Sequence, residues 1–401
     1  MQCRVILFVA SLAWLGLCSR ASAVPHVPPT DATILERLPF RPNDPIAREM
    51  STLRATLRAN PNDQDAALKL AKRYYGLVAE EGDPRYIGYA QAALAPWWSM
   101  PEPPVEIQIM RASLAQFNHD FAGALRDLDS VLTRYPQHAQ ARALRATINL
   151  VQARYDAARA DCQALHGITD ELIAVGCVAM TDGLTGHAES AYQTLQASLA
   201  QHPAASPDEV LWVSVRLAEI AQRLNRIALA EQHFKRALAL NIPDTFLLAA
   251  YADLLLDQHR DGEVETLLKE RVRSDVLLLR LVFAERNLKL PIAAARSATL
   301  AARYGAAKLR GDTVHQQEEA RFALAVENDA PKALDLALKN WVVQREPRDA
   351  RIVLEAALAA HQPAAAQPVI DWLATSGIED QTLRGLAAQI KGAAQLKGAT
   401  K

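Results

Sequence analysis

The sequence predicts an all-α solenoid of stacked antiparallel helix pairs, and three observations point to it. Small residues recur twelve apart as Ala112/Ala124, Ala146/Ala158, Ala179/Ala191, Ala218/Ala230 and Ala252/Val264, and successive pairs lie 34, 33, 39 and 34 residues apart. A period near 34 marks a helical repeat array, in which small residues at two fixed positions let the helices approach closely. Proline then punctuates the chain at Pro61, Pro136, Pro203 and Pro243, each after an apolar helical run that it cannot continue. Finally, the 401-residue chain is half hydrophobic, with 16 glycines and no low-complexity tract, a composition suited to packed helices.

The elements follow in order. Residues 1–23 read as a secretory signal: Arg4 supplies the charged start, Val5 to Leu17 form a 13-residue apolar run, and Ala21-Ser22-Ala23 is a small-x-small cleavage site. A run that short is below the ~20 residues of a membrane-spanning helix, so an uncleaved inner-membrane anchor is the weaker reading. Residues 24–44 form an extended leader, because Pro25, Pro28, Pro29, Pro39 and Pro42 forbid a regular helix over most of it. An N-terminal capping helix occupies 45–63, with Asp44 as cap, Pro45 in the first turn, and Ile46, Met50, Leu53 and Leu57 at helical spacing. Repeat units fill 64–268, degenerate units fill 269–376, and 377–401 is a C-terminal capping helix with a polar tail.

The run Leu217-Ala218, Ala221, Leu224, Ala230, Phe234, Ala237-Leu238 resembles the tetratricopeptide repeat family, as do Ala112, Phe121, Ala124, Leu128, Leu132, Pro136 and Ala146, Tyr155, Ala158, Cys162, Leu165. The family's early tryptophan is missing from most units, and after about residue 270 the pattern blurs. The resemblance, to an exported bacterial member of that family, implies a right-handed superhelix whose first helices line a concave groove. It places Tyr75, Ile109, Phe117, Leu150, Trp212, Arg223 and Phe246 on that groove, with Asp253 and Asp257 further along. The Lys and Asn clamp by which some members hold an acidic peptide terminus is absent, since Leu68, Lys72, Ile109 and Ser113 stand at its positions.

Catalytic chemistry finds no motif. There is no Gly-x-Ser-x-Gly elbow, no phosphate-binding glycine loop with lysine, no dinucleotide fingerprint and no His-Glu-x-x-His helix. No cofactor or metal is expected, and a formal net charge of -1 gives no footprint for nucleic acid. Cys162 and Cys177 flank the short turn His166–Asp170 symmetrically, which favours a disulfide in an oxidising compartment. Two unpaired buried thiols, or a Cys162–His166 nucleophile or partial metal site, are the alternatives.

The expected protein is therefore an exported, periplasmic, non-catalytic scaffold or adaptor of the cell envelope. It binds a protein or peptide in the groove, and its mature chain has no transmembrane segment. Secretion is the alternative location. An assembly factor for an envelope protein or polymer-export machine is the alternative role. A cell-wall hydrolase on a helical superhelix fits less well, because too little chain follows the last repeat for a catalytic domain.

Overall fold

The computed structural model describes Thr30 and residues 44–399, with side chains through residue 395. The signal-like segment, the leader apart from Thr30 and Asp44, and residues 400–401 lie outside the described residues. The chain divides into two compact units, residues 1–51 and 52–401. In the first, helix Pro45–Ala59 begins, and Asp44 Oδ1 caps it by accepting the amides of Ile46 and Ala47 at 2.8 and 3.2 Å.

In the second, nine helix pairs follow one another, and no strand occurs among the described residues. Unit 1 pairs Gln64–Glu81 with Arg85–Ala93, and a short helix, Ala95–Trp98, leads to unit 2, Val105–Phe117 with Phe121–Arg134. Unit 3 is Ala139–Val151 with Tyr155–Gln163, unit 4 Glu171–Asp182 with Ala188–Gln201, and unit 5 Pro207–Arg223 with Ile227–Leu238. Unit 6 is Thr245–Asp257 with Asp261–Leu268, and unit 7 is Asp275–Asn287 with Ile292–Leu309. In unit 8, Gln316–Phe322 runs into a π turn, Ala323–Glu327, before Ala330–Val343; in unit 9, Pro347–Ala359 is followed by a 3-10 turn and Gln367–Ser376. Helix Gln381–Ala399 closes the array. Below, the first and second helices of a unit are its A and B helices.

Local chemistry explains the starts and stops. Side-chain oxygens cap A helices from the preceding residue: Asp63, Asp170, Asp244 and Ser274 each accept an amide of the first turn, and Ser206 with Glu209 forms a reciprocal capping box. Between the A and B helices every unit carries one residue in the left-handed region: Gly82, His119, Ala153, Gly186, Asn225, His259, Lys289, Asn328 and His361. The residue after it donates back across the turn, as in Asp120 to Ala115, Arg154 to Asn149, Arg226 to Ala221, Arg260 to Leu255, Leu290 to Glu285 and Gln362 to Ala357. This satisfies carbonyls that the helix end would leave open.

The paired small residues sit seven before and five after that turn residue. All eight alanines of the first four pairs are at most 3% exposed, and Ala252 and Val264 are fully buried. Past residue 268 the second position is again fully buried in units 8 and 9, at Ala333 and Ala366, while Ala294 of unit 7 is exposed. The first position there is taken by Val282 and Leu354, and in unit 8 the π turn adds a residue and brings Ala320 into place. Those substitutions are why the repeat fades in the sequence although the geometry persists.

A solenoid unit ordinarily touches only its neighbours. Here the second unit of the chain also closes on itself. Gly82 of unit 1 faces Ser274 and Thr245. The Arg345 amide donates to Val151 O at 2.8 Å, the Ala188 amide donates to Glu379 Oε2 at 2.6 Å, and Gly186 lies against Gly377. These contacts span between about 160 and 195 residues of chain. Trp372 Nε1 adds a hydrogen bond to Tyr155 Oη at 3.0 Å. The A–B turns of units 1, 3 and 4 thus rest on the chain five to six units later.

Candidate interaction site in the lumen

Closure turns the expected open groove into a lumen. Its chemistry centres on helix A of unit 6, where Phe246, Ala250, Asp253 and Asp257 fall at four-, three- and four-residue spacing and so share one face. Asp244 caps this helix by accepting the Leu247 amide, while Leu247, Tyr251, Leu254 and Leu255 bury the opposite face. The stripe is therefore held on a rigid support.

An arginine meets every functional group of the stripe. The Arg216 and Arg348 guanidinium carbons lie 4.7 and 5.8 Å from the Phe246 ring centroid, within cation–π range. Asp253 Oδ2 accepts from Arg280 Nη2 at 2.7 Å and Oδ1 from Arg321 Nη2 at 2.8 Å. Asp257 takes Arg351 as a two-pronged pair, Nη1 to Oδ2 and Nη2 to Oδ1, both at 2.8 Å. Burial by itself would raise the pKa of Asp253, but Arg280 and Arg321 outweigh it and hold the carboxyl well below the usual carboxylate range.

The lumen is wet. Arg348 and Arg351 keep 47% and 37% of their side chains open to solvent although both lie within the superhelix. Exposed ion pairs contribute about 0–1 kcal/mol each, and more where the geometry is bidentate as at Arg351–Asp257, so Arg348 is the more weakly held of the two. Arg280, with 3% of its side chain open, is the fixed member of the group.

The sequence-derived candidates divide. Ile109 and Leu150 do not line open space, and their expected place on a groove is corrected: they are 1% and 5% exposed. The reason is closure, because Val343 of unit 8 packs on the cluster of Ile109, Ala112, Phe121 and Ile148, and Val151 beside Leu150 receives Arg345. Tyr75 is half-buried, and burial pushes its phenol up. Phe117 is half-buried at the end of its helix.

Trp212 packs against the neighbouring repeat. A Cβ on Gly176 would come within 2.3 Å of Trp212 Cζ3, so the glycine makes room for the ring. Arg223 reaches Gly183, with Glu219 and Asp380 as its charged neighbours, and its Nε is buried without a hydrogen-bond partner among the described residues. Burial lowers the Arg223 value and the two acids raise it. Of the inward positions named from the sequence, Phe246, Asp253 and Asp257 form the arginine-bearing stripe.

Sequence reading missed Arg321, Arg348 and Arg351, whose partners lie 68 to about 100 residues away. The i,i+3 spacing of Arg348 and Arg351, which face Phe246 and Asp257 on one inward stripe, was the available signal. Cys162 and Cys177 are joined in a disulfide between helix B of unit 3 and helix A of unit 4. No group of three or more His, Cys, Asp or Glu is placed to hold a metal ion among the described residues, and no described helix is long and apolar enough to cross a membrane.

No protein-family model and no curated protein matches the chain. Among solved structures it is similar to the Cut9–Hcn1 hetero-tetramer of the APC/C, at 14% identity and TM-score 0.40, over 86% of this chain and 52% of that one. It is also similar to yeast Tom70, at 13% identity and TM-score 0.34, over 88% and 96% of the two chains. The P58(IPK) TPR domain matches at 15% identity and TM-score 0.22, over 88% and 99%. The chain spans about half the length of the first of these. The fold assignment, an all-α array of tetratricopeptide-like helix pairs, rests on the turns and buried alanines described above.

Proposed function

We propose that the chain is a non-catalytic protein-interaction scaffold of the bacterial cell envelope that takes a segment of a protein partner into its lumen. The observation that carries this reading is the Phe246–Asp253–Asp257 stripe, an aromatic and two carboxylates on one rigid helix face in a solvent-reached interior. Aromatic anchors with a few fixed polar groups are what peptide recognition uses. The signal-like N-terminus and the Cys162–Cys177 disulfide support export to an oxidising compartment.

The test is a crosslinking pull-down from native envelopes, with the full chain as bait and a Trp212→Ala, Phe246→Ala double variant as control. Recovery of one partner by the parent, reduced at least tenfold with the folded variant, is the expected result. A drop of tenfold corresponds to about 1.4 kcal/mol, within the range of a truncated anchor. Equal recovery by both would place binding on another surface, and recovery of no protein would overturn the scaffold reading.

A further inference from the structure

We infer that the unit 6 stripe is a set of arginine seats, built to bind an arginine-bearing segment of the partner, and that Arg348 and Arg351 are its intramolecular occupants. The inference rests on the scaffold reading above and names the chemistry its site selects. Each seat holds arginine in the structure. Asp257 meets Arg351 through two parallel N–H donors at 2.8 Å, a geometry that a lysine ammonium cannot reproduce. Phe246 receives two guanidinium groups and no ammonium. Asp253 takes two arginines at once, and one of them, Arg280, has 3% of its side chain open, so it stays when Arg321 leaves.

The occupants differ in how firmly they are held, and the difference indicates which can yield. Arg348 and Arg351 lie at the start of helix A of unit 9, one turn apart, and retain 47% and 37% side-chain exposure. Each has an alternative acid on its own helix or its cap: Glu346 Oε2 accepts from Arg348 at 2.6 Å and Glu355 Oε1 from Arg351 at 2.7 Å. An incoming arginine can therefore displace them without stranding a charge, since each retains a carboxylate partner. The segment 345–351, Arg-Glu-Pro-Arg-Asp-Ala-Arg, is the chain's own example of what the lumen accepts.

The probe is a fluorescein-labelled synthetic peptide of residues 343–353, titrated into the full chain by anisotropy. An Arg348→Ala, Arg351→Ala variant, with its seats vacated, should bind the peptide at least tenfold tighter than the parent. Adding Asp257→Asn should remove that gain, and a peptide carrying lysine at 348 and 351 should bind at least tenfold more weakly than the arginine peptide. If the alanine variant loses its helical circular dichroism, Arg348→Gln, Arg351→Gln is measured in its place. Equal binding by variant and parent, or by arginine and lysine peptides, overturns the inference. The scaffold reading fails separately: a partner captured through Phe246 while the peptide fails to bind leaves the scaffold standing and removes only the arginine seats.

Discussion

Gly82→Ala should lower the unfolding free energy by on the order of 3 kcal/mol, summed from overpacking, a disturbed helix cap and a left-handed alanine. A Cβ there would sit 2.3 Å from Ser274 Oγ and 3.2 Å from Thr245 Cγ2. Ser274 has little freedom to retreat, being 1% exposed and the cap that accepts the Leu277 amide. Conformation alone does not demand the glycine. Ala153 and His119 adopt φ of 57° and 60° in the equivalent turns of units 3 and 2, close to 67° at Gly82. What Gly82 provides is room for unit 1 to rest on units 6 and 7. Ala153→Gly is the matched control and should change stability by under about 1 kcal/mol, since it relieves backbone strain at the cost of one methyl contact. Urea unfolding of both variants checks this, and a Gly82→Ala protein within 0.5 kcal/mol of the parent, roughly the scatter of a surface substitution, would refute the close contact.

Reducing the disulfide, or replacing both cysteines by alanine, should cost about 3 kcal/mol in the chain-entropy account of a 15-residue loop. Cys162 and Cys177 are 0% and 7% exposed, in a small cluster with Ala146, Leu165 and Ala174 at the joint of units 3 and 4. That cluster has few large side chains, so the covalent link carries much of the joint. The oxidised parent should show no labelled thiol at either position after unfolding, and its urea midpoint should exceed that of the reduced form. Coincident midpoints would mean that the bond constrains little that packing does not already hold.

The repeat architecture was legible because its signal is local. Small residues twelve apart, caps and prolines each act over one or two turns, and units 2–6 each carry the small-residue pair. Units 7–9 were harder to read because Val282 and Leu354 replaced the first small residue and the Ala323–Glu327 π turn shifted register in unit 8. The turn residue survived all of this, yet His361, Lys289 and Asn328 share no side-chain type that would announce a left-handed conformation. The lumen was legible only in part. How tightly a superhelix coils depends on small rotations between successive units, which no residue spacing records. Ile109 and Leu150 were therefore assigned to a groove that closure fills, and the partners of Asp253 and Asp257 lay in units where the motif had faded. Phe246 was placed inward by the repeat phase alone, and it stands beside Arg216 and Arg348.

Closure of the array on itself after five to six units is the claim from which the lumen and its arginine seats follow, and two amides report it directly. Ala188 opens helix B of unit 4, where no intrahelical acceptor exists for its N–H, and Arg345 precedes Pro347 outside any helix. Their acceptors, Glu379 Oε2 and Val151 O, come from across the seam. Residue-resolved hydrogen exchange should show both amides protected by roughly a hundredfold or more over unstructured chain, with Glu379→Ala releasing Ala188 alone. Free exchange at both amides, while the helix interior around Leu195 stays protected, would show an open array and contradict the closed lumen.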